Sequence, residues 1–214
     1  MHPRTTLVGI VPRALIVLLA SLAFLAASCG DDDSAAAPET TTTRATTAAT
    51  IPTATTEDGI DTLEGASTNA VEGAATQDQT ALLEQVALGR HEGYDRVVFR
   101  FRDGVPGYHV SYVEPPLRED GSGKEVAVAG DAFVVVRMEP ASGFDLTKPE
   151  GELVYEGPRR LRGSDFGTSV VRDVVRTGDF EAVLSWAVGL SDRVDFRVIK
   201  LEHPARLVVD FRNH

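Results

Sequence analysis

The sequence predicts an all-β protein: a two-sheet antiparallel β-sandwich preceded by a signal peptide and a disordered tether. Three observations carry that prediction. Beyond residue 80, apolar and polar side chains alternate in short runs, the period-two pattern of half-buried strands. Gly, Pro and Asp clusters punctuate those runs about every 8 to 12 residues, the spacing of a sandwich or barrel. No segment carries a helical stripe apart from Thr80–Leu88, where Leu82, Leu83 and Val86 fit a first strand or a tether end equally well.

The chain opens on a basic start (His2, Arg4, Arg13) followed by an apolar run from Ala14 to Ala27. That run is about 14 residues, against the roughly 20 needed to cross a bilayer core, so residues 1–28 predict a secretory signal and not a spanning helix. Small residues (Ala26, Ala27, Ser28) then precede Cys29, the only cysteine, after which the composition turns to Gly30-Asp31-Asp32-Asp33. This junction resembles the lipobox of bacterial lipoproteins, with Ala26 where the commonest lipobox has Leu and Leu25 one place further back. The resemblance implies cleavage between Ser28 and Cys29 and a diacylglyceryl group on the Cys29 sulfur. An ordinary secretory signal with an incidental cysteine is the alternative. Two acyl chains, at about 0.8 kcal/mol per buried methylene, supply more than about 20 kcal/mol. The predicted location is therefore the outer leaflet of the cytoplasmic membrane, on its extracytoplasmic face.

Residues 29–80 are rich in Thr, Ala, Asp and Glu, with Thr40–Thr43 as a low-complexity block. The apolar Ile51, Ile60, Leu63 and Val71 are too few and too scattered to bury a face, so this stretch predicts an acidic, disordered tether. Between Asp31 and Gln79 it carries ten acidic residues and one basic. From residue 80 onward, 22 acidic residues stand against 18 basic ones, well mixed along the chain. That balance excludes a nucleic-acid-binding face of the usual kind.

Residues 81–214 predict the folded domain. Val97, Phe99 and Phe101 alternate with Val98, Arg100 and Arg102; Tyr108, Val110 and Tyr112 alternate with His109, Ser111 and Val113. Glu125–Ala129 and Ala132–Met138 predict a hairpin about Gly130-Asp131. A long connection through Pro140, Gly143, Pro149 and Gly151 leads to a short strand at Leu153–Tyr155 and a basic loop over Pro158–Gly163. Ser169–Arg176 and Phe180–Val188 predict a second hairpin about Thr177-Gly178-Asp179. Asp195–Leu201 and Ala205–Arg212 close the domain.

Gly93-Tyr94-Asp95-Arg96-Val97-Val98-Phe99 resembles the opening of the AMIN-like domain of actinobacterial secreted proteins and lipoproteins. The run from Leu201 to Asp210 resembles its closing strand. Gly121-Ser122-Gly123 and Gly130–Val136 fit its middle, and Phe180-Glu181 with Trp186–Leu190 its penultimate strand. The resemblance spans the chain from about Ala87 to its end. It implies a β-sandwich and a non-catalytic envelope module that binds peptidoglycan or another wall polymer. The alternative is an interaction or regulatory subunit that binds an envelope protein through an open sheet edge.

No catalytic residue, metal site or cofactor is predicted. His91, His109, His203 and His214 lack zinc-ligand spacing, and no G-x-S-x-G elbow occurs. Candidate ligand-binding residues are Arg159, Arg160 and Arg162, which can take carboxylates or phosphates bidentately, and Tyr94 and Tyr112, which can stack on sugar rings. The competing reading is a solvated loop and half-buried core tyrosines. Asp95, Arg96, Arg206 and Asp210, on the first and last strong strands, predict cross-strand ion pairs.

Overall fold

A computed structural model describes residues 63–213. The predicted signal peptide, Ser28, Cys29 and the tether up to residue 62 lie outside the described residues. The described residues hold thirteen strands: β1 (Val71–Gly73), β2 (Ala81–His91), β3 (Tyr94–Phe101), β4 (Gly107–Val113), β5 (Ala132–Glu139), β6 (Ala141–Ser142), β7 (Phe144–Asp145), β8 (Glu152–Leu153), β9 (Arg160–Arg162), β10 (Val171–Phe180), β11 (Val183–Leu190), β12 (Phe196–Glu202) and β13 (Ala205–Arg212). One short helix, α1 (Gly163–Phe166), links β9 to β10.

Two sheets face each other. One has the order β1-β4-β5-β11-β10-β9 and is antiparallel throughout; the other runs β12-β13-β3-β2-β6, with only β2–β6 parallel. A small ribbon, β7-β8, stands apart. Strand alternation sets the core. Phe99, Leu207 and Val209 of one sheet and Val136, Leu184, Trp186 and Val188 of the other are wholly buried in one cluster. Trp186 lies 5.9 Å from Phe99 across the sheets and meets Tyr155 edge-on at 5.7 Å. Those arrangements add attraction beyond area burial.

The strands expected around Phe99, Val110, Val134 and Leu207 all form. Four local expectations are corrected. Glu125–Ala129 makes no ladder, only one bridge from Glu125 to Arg118. Its polar groups bond sideways instead: Ala129 N–H donates to Asp173 and the Ala127 carbonyl accepts from Arg160.

The β10–β11 turn falls at Glu181-Ala182, both at positive φ, as a two-residue type I′ turn requires. Thr177-Gly178-Asp179 instead sits inside β10, where the register shifts by a bulge. A Cβ at Gly178 would collide with the Asp120 side chain, so glycine there allows a close approach and makes no turn. The Pro158–Gly163 segment is an edge strand, β9, paired to β10 and followed by α1. The short strand expected at Leu153–Tyr155 is shifted to Glu152–Leu153; Tyr155 is buried outside it.

Residues 63–80, predicted as tether, pack on the domain. Leu63 is buried, Ser67 exchanges two backbone hydrogen bonds with Phe196, and β1 pairs with β4. This segment therefore spans from the β12 edge of one sheet to the β4 edge of the other.

Candidate functional site

A groove of about 1700 Å³ opens at one end of the sandwich. Topology brings its walls together. β2 and β3 are antiparallel neighbours, so the start of β2 (Asp78–Leu82) and the exit of β3 (Arg102, Asp103) share an end. β5, paired with β11, delivers the chain to the same end beside the Glu181-Ala182 turn. From there β6 switches sheets: Ala141 N–H bonds to the Ala182 carbonyl, while Ala81 N–H bonds to the Pro140 carbonyl. The crossing segment, the β7–β8 ribbon, the tip Glu119–Ser122 and the end of β10 all line it.

The lining is amphipathic. Among the described residues, five large hydrophobic side chains are exposed, and four of them (Phe144, Leu146, Leu153 and Phe180) line this groove. Leu146 is 81% exposed. Exposed apolar groups gathered in a concave surface mark a binding site far better than scattered ones do. Around them stand seven carboxylates and four cations.

Several of these charges are spent on structure. Arg159 pairs with Glu119 and donates to the Arg176 carbonyl. Asp179 accepts from Ser142 Oγ at 2.8 Å and Gly143 N–H at 2.9 Å, pinning the crossing segment to β10. Asp145 accepts both the Thr147 hydroxyl and its N–H, and these bonds hold its carboxyl below the usual range. Hydrogen bonds from Ser122 and then Arg159 lower Glu119 in the same way. Both groups therefore stay ionised near neutrality. Among the described residues, Asp78, Asp103, Asp120, Glu181 and Lys148 make no ion pair.

The sequence candidates do not converge. Of the three arginines only Arg159 lines the groove. Arg160 is a strut, held by the buried Asp173 at 2.6 Å and by the Ala127 carbonyl at 2.6 Å. Arg162 is exposed on β9. Tyr94 is buried, stacked on His91 and covered by Arg96, so its ring offers no open face to a sugar. Tyr112 bonds through its hydroxyl to both backbone groups of Val194, and Arg193 covers its ring at 4.1 Å. His109 is half-exposed beside Glu72.

Of the expected ion pairs, Arg96–Asp210 forms in bidentate geometry at 2.7 and 2.9 Å, with Arg197 as a second donor to Asp210. Asp95 forms none; it faces inward and accepts backbone N–H groups. Arg206 lies opposite Arg100 on the neighbouring strand and donates to the Pro204 carbonyl.

Phe144, Leu146, Leu153 and the unpaired carboxylates are the groove residues that sequence reasoning misses. The one signal available is that Phe144 and Leu146 sit in the Pro/Gly-rich connection, outside any alternating run.

Among the described residues, no group of three or more His, Cys, Asp or Glu side chains could hold a metal ion, and no helix is long and apolar enough to cross a membrane. The family model of the AMIN-like domain matches residues 81–213. No curated protein and no solved structure matches the chain. The chain belongs to the AMIN-like domain family, whose members are extracytoplasmic envelope domains of a wall-related binding type.

Proposed function

We propose that this AMIN-like chain is a lipid-anchored, non-catalytic envelope protein that binds peptidoglycan through the groove at the end of its sandwich. The observation that carries the reading is the gathering of Phe144, Leu146, Leu153 and Phe180 in one charged concavity. Aromatic faces and aliphatic side chains there would cover the apolar faces of a wall fragment, and the charged rim would orient it.

The anchor rests on the junction at Ser28 and Cys29. It would place the domain on the outer leaflet, with the acidic segment before residue 63 giving reach towards the wall. Co-sedimentation of the detergent-solubilised full chain with purified wall sacculi tests the binding. Retention that falls by about thirtyfold in Phe144→Ala/Phe180→Ala supports it, since each lost aromatic contact is worth about 1 kcal/mol. Retention no better than that of an unrelated acidic protein refutes it. A fatty-acid probe tests the anchor, which should label the parent and leave Cys29→Ala unlabelled.

A second reading, recruitment of an envelope protein, is favoured by β12. It is a seven-residue edge strand, and Ser67 bridges it only at its first residue. A photo-crosslinker at Lys200 that captures one dominant protein in intact cells would support strand addition there.

A further inference from the structure

The charges left over in the groove say which part of a wall polymer it takes. The groove's arginines are already engaged: Arg102 with Glu84, Arg159 with Glu119 and Arg176 with Asp179. Among the described residues Asp78, Asp103, Asp120 and Glu181, on four separate segments of the rim, make no ion pair. Among the described residues Lys148, on the β7–β8 ribbon near Leu146, makes no ion pair, although its charge acts on Asp145. Leu146 and Leu153, both more than half exposed, line the same groove. Leucine covers methyl and methylene groups, and Phe144 and Phe180 add exposed rings to the same apolar surface.

We infer that the groove recognises the peptide part of the wall polymer, through a free primary ammonium group and small apolar side chains. The ammonium is a compact charge with three donors, suited to a groove where seven carboxylates stand against four cations. Lys148 would take the peptide's own carboxylate, and the leucines its methyl groups. Peptidoglycan presents that chemistry where a stem peptide is not cross-linked, because the side-chain amine of its diamino acid is then free. The inference rests on the wall-binding reading above and adds the ligand's class to it.

The test uses the detergent-solubilised full chain and three solid phases. These are native sacculi, the same sacculi with free amines acetylated, and insoluble N-acetylglucosamine polymer as glycan alone. Retention on native sacculi should fall about tenfold after acetylation, and more salt should weaken it. The glycan should retain no more than background. The variant Asp78→Asn/Asp103→Asn/Asp120→Asn/Glu181→Gln, which changes only charge at the groove rim, should bind native sacculi about as weakly as the parent binds acetylated ones. Far-UV circular dichroism and the thermal midpoint check its fold.

Equal retention on native and acetylated sacculi overturns the inference and leaves the wall-binding reading standing. So does retention by the glycan alone that equals retention by sacculi. A folded variant that binds like the parent also overturns it. Failure on all three phases overturns both.

Discussion

Asp95→Asn tests whether one buried carboxylate fastens the two sheets. Asp95 is fully buried on β3 of the five-stranded sheet. Its Oδ2 accepts N–H groups from Ser169, Val170 and Val171 at 2.8, 2.6 and 3.0 Å, and Val171 opens β10 of the opposite sheet. Its Oδ1 accepts Asn213 Nδ2 at 2.9 Å.

An asparagine has one oxygen to offer these four donors. If that oxygen keeps the three backbone groups, its amide NH₂ meets the NH₂ of Asn213, which is also committed to the His91 carbonyl. Three charge-assisted bonds become neutral at about 1 kcal/mol each, and the donor conflict adds about 1 kcal/mol or more. Relief from burying a charge offsets part of this, leaving a net cost of about 3 kcal/mol. For a domain of this size that lowers Tm by about 6–12 °C.

Thermal and urea unfolding of the full chain, followed by far-UV circular dichroism, reads it directly. Asn213→Ala in both backgrounds closes a double-mutant cycle. With Asn213 gone the conflict disappears, so Asp95→Asn should then cost about 1 kcal/mol less. A variant within about 0.5 kcal/mol of the parent refutes the clamp.

Three other perturbations separate further parts of the fold. Asp210→Asn should cost about 3 kcal/mol in urea unfolding, because it strips a wholly buried carboxylate from the nearly buried Arg96; a loss under about 1 kcal/mol would mean that solvent already screens the pair. Ala182→Gly should stabilise by about 1 kcal/mol, because Ala182 sits at φ 59° in the β10–β11 turn; no gain in Tm would show that the turn is unstrained. His91 is held below its ordinary pKa of 6.5, first by burial and then by the Arg96 guanidinium. The unfolded chain therefore binds that proton more readily, so this contribution is complete above pH 6.5 and is lost as pH falls through the folded value. His91→Phe keeps a ring on Tyr94 and should flatten the fall of Tm with acid; an unchanged slope assigns the acid sensitivity to other groups.

Strand identity was legible wherever alternation decides burial. Phe99 and Phe101, Val110, and Leu207 and Val209 each announce a core face through their neighbours two places away. Turn chemistry misled where a turn-like residue served another purpose. Gly178 clears space for Asp120, while Glu181 and Ala182 accept a left-handed turn that their side chains do not favour. The Val126 and Val128 alternation copies a strand, yet its backbone bonds go to the Arg160 and Asp173 side chains and to the Leu117 carbonyl. Charge also changed meaning on folding. A well-mixed sequence resolves into paired arginines such as Arg96 and Arg159, and into a rim where Asp78, Asp103, Asp120 and Glu181 make no ion pair among the described residues.

By itself the sequence determined that the domain is all-β and which residues of each strand face the core, because period two dictates which side of each strand avoids water; the AMIN-like type came from the motifs at its first and last strong strands. It could not place the groove. Asp78, Phe144, Arg159 and Phe180 meet because strand order puts their loops at one end of the sandwich, and strand order depends on long-range pairing that no local pattern records. It also could not tell that Tyr94 is covered while Leu146 is bare, since exposure of a side chain beyond its own strand depends on which neighbour lies over it.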